Sequence, residues 1–272
     1  MVKSKKRTTG TSEKITIVCI ATKKDFTTLP GVLAFAVKAV GQSNLVGIKI
    51  VVPEKHYLEA TLIMNGLLPI EIDIKTDEDL ISDNQIELIR NYFGNKSSWI
   101  VQQVLKFETV RSINTNTLIL DADTLIINNR YLRVIDGIQP LNPTEEFHKP
   151  YYDFLAKISP IFSNITDSFV PHHQIVQKDI FKEMYYSLNI NDLETLIAFC
   201  IKNADISEPS SLSIDYEMYA QYLFITHPHR YTLVKWSNIS LPNNKFNLYS
   251  KNRFYLFVFR KLYNSISFHS WS

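Results

Sequence analysis

Glycine is scarce in this chain. Seven occur in 272 residues, at positions 10, 31, 41, 47, 66, 94 and 137. No two are spaced for G-x-G-x-x-G or for the P-loop G-x-x-x-x-G-K-[ST], so phosphate cradles of those two kinds are excluded. Cysteine is scarcer still. Cys19 and Cys200 both lie in apolar runs and read as buried free thiols. A disulfide framework and a Cys-rich zinc site are excluded, and a reducing compartment is the natural setting. An excess of one charge is also missing. The 29 Lys and Arg nearly balance 27 Asp and Glu, for a net charge of +2. That balance gives no case for nucleic acid as a partner. Long hydrophobic runs are absent as well. Ile15–Ala21 is about half of what a signal segment needs and far below the ~20 residues of a membrane span. The expected location is therefore cytoplasmic, and the sequons at Asn95, Asn164 and Asn238 are expected to carry nothing.

What is present reads as one α/β unit behind a basic, polar leader at residues 1–13. Ile15–Thr22 is a continuous β-branched run, the pattern of a strand buried on both faces. A helix over Val32–Val40, a strand over Val46–Val52, a helix over Glu54–Asn65 and a strand over Ile70–Ile74 follow. Strands alternating with helices in this way argue for parallel β-α-β units. Residues 76–97 carry no clear pattern, whereas Ser98–Ser112 is a helix and Thr117–Leu120 a strand. In the second half, helices are expected over Pro150–Ile158, Asp179–Ser187, Asp192–Lys202 and Asp215–Ile225. An irregular strand over Ser168–Val176 and a strand over Tyr231–Trp236 complete the pattern. The boundaries fall at 14–250 for the main domain and 251–272 for a tail.

The sharpest chemical signal is Asp121-Ala122-Asp123, directly after the apolar strand Thr117–Leu120. Ligands of open α/β sheets bind at the carboxyl ends of the strands. Two carboxylates held there suit a hard divalent cation, Mn²⁺ or Mg²⁺, which can neutralise a departing diphosphate.

TLILDADTLII resembles the D-x-D strand of nucleotide-sugar-dependent glycosyltransferases of the GT-A fold. The preceding Trp99-Ile-Val-Gln102-Gln103-Val-Leu-Lys106-Phe107 is similar to the W/Y-x-x-Q-Q-x-x-K-L pattern of a group of poorly characterised bacterial glycosyltransferase-like proteins. Ser168-Phe-Val-Pro-His172-His173 and Asp215-Tyr216-Glu217-Met218-Tyr219 resemble their S-F-x-x-H-H and S-E-Y-E-L-Y stretches. The resemblance implies a GT-A-like single domain with a mostly parallel, Rossmann-like sheet flanked by helices. It implies transfer of a sugar from a nucleotide-diphosphate donor to a hydroxyl of a glycan or lipid-linked saccharide.

Residue by residue, the resemblance makes Asp123 the metal-ligating carboxylate and places Asp121 toward the ribose or, through water, the metal. Lys106 would meet phosphate or a carboxylate of the D-x-D, with Gln103 on the same helix face. Asp215 or Glu217 would be the base that an inverting transfer needs. Residues two apart on a helix point apart, so one of the pair faces the site. Asp215 stands where the family more often has Glu, which favours Glu217. A retaining reaction would need neither.

His172 and His173 fall on opposite faces of a strand, and one is expected at the donor, with His173 assigned to nucleotide-sugar binding. A third metal ligand would come from His227, His229 or His269, with His269 preferred. Trp236 and Trp271 fit core packing better than sugar stacking. The segment Lys251–Tyr263, KNRFYLFVFRKLY, interleaves aromatic and basic residues. It reads as a core-packing terminal element with basic ends or as a peripheral contact with an anionic membrane. Two rival functions remain. A sugar nucleotidyltransferase would carry a Gly-rich loop near the first strand, which Thr22–Gly31 lacks. A transferase-derived, non-catalytic binding protein is the other.

Overall fold

The computed structural model describes residues 10–128, 132–205, 207 and 212–269. Most of the expected leader and Trp271 lie outside them. The first half forms β1 (Ile15–Ile20), α1 (Leu29–Val40), β2 (Leu45–Val52), α2 (Tyr57–Met64) and β3 (Ile72–Thr76). Then come α3 (Asp83–Phe93), α4 (Ser97–Ser112) and β4 (Asn116–Asp121). After the D-x-D turn follow β5 (Thr124–Ile126), β6 (Gln139–Leu141), α5 (Lys149–Ile158), β7 (His173–Val176), α6 (Lys178–Ser187) and α7 (Leu193–Asn203). The last part holds a π-helical turn (Ile214–Met218), α8 (Tyr219–Thr226), β8 (Tyr231–Leu233), β9 (Asn238–Pro242), α9 (Phe246–Lys251), α10 (Arg253–Leu262) and β10 (Ser265–His269).

The main sheet has the order β3-β2-β1-β4-β7. Its first four strands are parallel and β7 runs antiparallel against β4. The sequence dictates this centre. All six residues of β1 are buried, which explains an apolar run without alternation. Ile15, Ile17 and Cys19 pack with α1 and α2 on one side, while Val18 and Ile20 pack with α3, α4 and α6 on the other. Both cysteines are buried free thiols, as expected.

The second sheet, β5-β10-β9, closes over α1. Its central strand β10 lies inside the segment that the sequence boundaries set aside as a tail, and all five of its residues are buried. The expected strand Ser168–Val176 shrinks to β7, because the chain reaches Pro171 before it can join the ladder. The expected strand Tyr231–Trp236 pairs with β6 only over Tyr231–Leu233. No described helix is long and apolar enough to cross a membrane.

Candidate active site

The carboxyl ends of β1 and β4 open into a cleft of about 910 Å³, lined by Asp121, Asp123, Lys106, His172, Asp215 and His269 among others. This size is ordinary for a ligand pocket. Asp121 is the last residue of β4, and its backbone N–H is held by the carbonyl of His172, at 3.2 Å. The next two residues form the turn into β5. Thr28 donates its hydroxyl to the Ala122 carbonyl at 3.1 Å, and the Phe268 N–H donates to the Asp123 carbonyl at 2.9 Å. Two distant elements, α1 and β10, thus fix the D-x-D turn.

The floor of the cleft is an ion network. The Lys106 ammonium, 3% exposed, donates to Asp121 Oδ1 and Asp215 Oδ2, both at 2.7 Å. It also donates to the Tyr216 hydroxyl at 3.1 Å. Tyr216 in turn donates to Asp121 Oδ1 at 2.6 Å. Burial alone would pull the Lys106 pKa down, but Asp121 and Asp215 together hold it above the ordinary range. Burial would likewise raise Asp121, yet Lys106 and His172 hold it well below the usual carboxylate range. Of the two partners that the sequence allows Lys106, phosphate or carboxylate, the structure supplies carboxylates.

Gln103 does not line the cleft. It is 1% exposed, donates to the Leu212 carbonyl at 3.0 Å and accepts from the Ile214 N–H at 2.8 Å. Its place is behind the site, clamping the π turn that carries Asp215. A side-chain amide matches two backbone groups left outside a regular helix, and that is the physical reason for its burial.

The π turn separates the two carboxylates expected to supply a base. Asp215 points to Lys106. Glu217 points away from the cleft and is completely buried. Its Oε1 accepts from Tyr152, Ser168 and the Phe169 N–H at 2.8–2.9 Å, and its Oε2 accepts from Gln221 at 2.9 Å. Burial raises its pKa against the effect of those donors. A carboxylate enclosed in this way meets no acceptor, so the preference for Glu217 over Asp215 is corrected: the residue on the cleft side is Asp215.

The histidines are corrected in the same sense. The pair does diverge, but the one in the cleft is His172. Its backbone φ of +62° turns the chain just before β7, and its Nδ1 sits 3.3 Å from Asp121 Oδ2. Burial lowers its pKa, but the bond to Asp121 raises it further, and the result lies above the usual imidazole range. His173 is 1% exposed and packs on Trp236, with ring centroids 4.3 Å apart. Its Nδ1 is 3.0 Å from the Pro171 carbonyl, and burial drives its pKa down to about 4. The unfolded chain takes up a proton below pH ~6.5 that folded His173 refuses until about 4. His173 therefore costs stability as pH falls through that window, up to about 3 kcal/mol. Urea titrations from pH 7 to about 4 should show a shallower acid loss in His173→Gln than in the wild type.

His269, at the end of β10, reaches the D-x-D: its Nδ1 lies 3.3 Å from Asp123 Oδ2. Among the described residues, no three His, Cys, Asp or Glu side chains converge as a metal cage. Asp121 does not join Asp123 and His269 as a third ligand, because Lys106, Tyr216 and His172 occupy its oxygens. Asp123 and His269 nevertheless supply a carboxylate and an imidazole on the cleft wall. The carboxylate suits either Mg²⁺ or Mn²⁺, which complete their shells with water and substrate phosphate, whereas the imidazole favours Mn²⁺ over the oxygen-seeking Mg²⁺.

Tyr216 and the Trp99–Tyr151 pair at the cleft wall were not singled out as site residues by the sequence. Trp99 and Tyr151 stack at 6.3 Å between centroids and 21° between planes. Trp99 opens the W-x-x-Q-Q block, the one signal that could have placed it.

No family model matches the chain, and no curated protein matches it in sequence. Similarity appears in solved structures. The mannosyltransferase Ktr4p from S. cerevisiae superposes with a TM-score of 0.53 at 10% identity, covering 81% of this chain and 68% of that one. The chain has the GT-A fold. Core-mannan synthase A from Aspergillus fumigatus, in an Mn/GDP form, gives 0.49 at 8% identity over 81% and 72%. The galactosyltransferase LgtC, with donor and acceptor sugar analogs, gives 0.47 at 10% over 93% and 86%. Within this fold, the cleft described above lies at the carboxyl ends of β1 and β4, where the strand order reverses.

Proposed function

We propose that the protein transfers a sugar from a nucleotide-diphosphate donor to a hydroxyl of a glycan or lipid-linked saccharide, with Mn²⁺ or Mg²⁺. The observation that carries this reading is the convergence of Asp123 and His269, from β-elements far apart in sequence, beside the Lys106–Asp121 ion pair in one cleft. The cation would be held by Asp123 and His269 and would supply charge neutralisation for the leaving diphosphate. Asp121, neutralised by Lys106, positions Tyr216 and His172 around the donor. The raised pKa of His172 favours the protonated imidazole, a donor suited to a phosphate oxygen. Asp215 keeps Lys106 in place. With Asp215 ion-paired and Glu217 enclosed, this helix offers no general base, which favours retention of the anomeric configuration over inversion. The stacked Trp99 and Tyr151 are suited to an acceptor sugar ring or a base.

The test is thermal unfolding against UDP, GDP, CDP and CMP and their sugars, with and without Mn²⁺. Saturation at 100 times Kd adds about 2.7 kcal/mol, or roughly 2–4 °C for a domain near this size. One nucleotide should give a Mn²⁺-dependent shift that disappears in Asp123→Ala and in His269→Ala. A folded protein that shifts with none of them would instead support a non-catalytic binding protein.

A further inference from the structure

Helix α10 is apolar on two sides, and the fold uses one. On the inner side Tyr255, Leu256, Phe259 and Tyr263 pack inward; Tyr249 meets Tyr255 and Phe259 edge-on at 5.1 and 5.3 Å. On the outer side Phe254, Phe257 and Leu262 are 69%, 59% and 63% exposed, with Val258 between them. At 100° per residue these four fall within an arc of roughly 140°, so they form one stripe. A surface helix needs a single apolar stripe, and contiguous exposed apolar surface marks a contact.

The charge around the stripe identifies the contact. Lys251, Arg253, Arg260 and Lys261 are all exposed, and the Lys261 ammonium lies 4.3 Å from the Phe257 ring centre. No Asp or Glu occurs after Glu217, so residues 218–272 carry seven Lys and Arg and no acidic residue. A chain nearly neutral as a whole has thus gathered its positive charge in the part that also exposes its aromatic residues. Aromatic and aliphatic side chains set among cations match an interface where acyl chains meet anionic headgroups.

We propose that the outer stripe of α10 docks on an anionic lipid surface, with Phe254, Phe257 and Leu262 in the acyl boundary and Lys251, Arg253, Arg260 and Lys261 at the headgroups. Strand β10 begins three residues after α10 and ends at His269 in the cleft. Its five residues span roughly 17 Å. Adding the two linking residues and the width of the helix, docking holds the cleft within about three nanometres of the lipid, by a strand rather than by a flexible tether. This inference stands whether or not the transferase reading does.

The test is co-sedimentation with phosphatidylcholine vesicles, with and without phosphatidylglycerol. The wild type should bind only the anionic vesicles, and more weakly as salt rises. Phe254→Ser/Phe257→Ser and Arg253→Glu/Lys261→Glu should each lower the partition more than tenfold. Because all four side chains are exposed, both variants should keep the wild-type unfolding midpoint and any nucleotide-dependent shift. Absence of binding to anionic vesicles, equal binding to neutral ones, or binding that both variants retain would overturn the proposal. So would a wild-type dimer, seen by sedimentation equilibrium, that dissociates in Phe254→Ser/Phe257→Ser without any vesicle binding, because the stripe would then belong to a second copy of the chain.

Discussion

Lys106→Met should cost about 3–5 kcal/mol of folding stability, the range for removing one partner of a buried ion pair. The methionine fills much of the same volume, so the loss is electrostatic. Asp215, with its side chain 9% exposed, and Asp121, at 22%, would face each other without the cation between them. Removing the second charge should return part of the loss, so Lys106→Met/Asp215→Asn should be more stable than Lys106→Met alone. A coupling energy of about 1–3 kcal/mol in the double-mutant cycle is expected, since the three groups act as one unit. The pH dependence gives an independent check. In the wild type Asp121 is held below its unfolded pKa, so its contribution is present at neutral pH and fades as pH falls through the acid range. In Lys106→Met, Asp121 keeps its burial and its bonds to Tyr216 and His172 but loses the cation that lowers its pKa most, so acid costs the variant less stability than it costs the wild type. The two urea midpoints should converge as pH falls. Parallel curves would mean that Lys106 contributes through packing.

Glu217 should divide its variants just as sharply. Glu217→Ala leaves four donors unpaired at a fully buried position and opens a cavity, a loss of about 4 kcal/mol or more. Glu217→Gln keeps an acceptor for Tyr152, Ser168 and the Phe169 N–H and loses only the bond from Gln221, so it should cost about 1–2 kcal/mol. Burial raises the Glu217 pKa, so its ionised form weighs on the fold, and this burden is relieved as pH falls toward the unfolded value. The glutamine removes that dependence. In a turnover assay with the donor found by thermal shift, Glu217→Gln should keep near wild-type rates. A general base would lose about 10²–10⁴-fold on the same change, and a loss of that size would restore Glu217 to the chemistry.

Much of the scaffold is legible in the sequence because its signals are local. Unbroken apolar runs mark β1 and β4, and Asp121 and Asp123 at the carboxyl end of β4 mark the cleft. Helix α3 lies in the stretch 76–97 that carries no clear pattern, although the structure gives it a reciprocal capping box of Ser82 and Gln85 and buries Ile86, Ile89 and Phe93 at helical spacing. The polar residues between them obscured it. Three-residue strands such as β5 and β6 carry no period to read, and their existence depends on distant partners. At the site, sequence alternation separates His172 from His173, but only the left-handed turn at His172 decides which one meets Asp121. Helical spacing separates Asp215 from Glu217, but the π turn and the pocket formed by Tyr152, Ser168 and Gln221 decide where each goes. Gln103 shares a helix face with Lys106 as expected, yet at 1% exposure it answers to backbone groups rather than to a ligand.

The pairing of β5 with β10 also has a consequence for the order of events on the ribosome. Thr124, Leu125 and Ile126 find their partners at Ser267, Ile266 and Ser265. At roughly 5–20 residues per second, the intervening stretch of about 140 residues takes on the order of 7–30 s to make. Throughout that time β5 is an unpaired edge, open to wrong partners. The Asp123 carbonyl lacks the Phe268 N–H that later fixes it, although the parallel strands of the main sheet are already synthesised. The D-x-D turn is thus completed only once β10 is made, and a nascent chain halted before residue 265 would carry both carboxylates without the strand that fixes the turn.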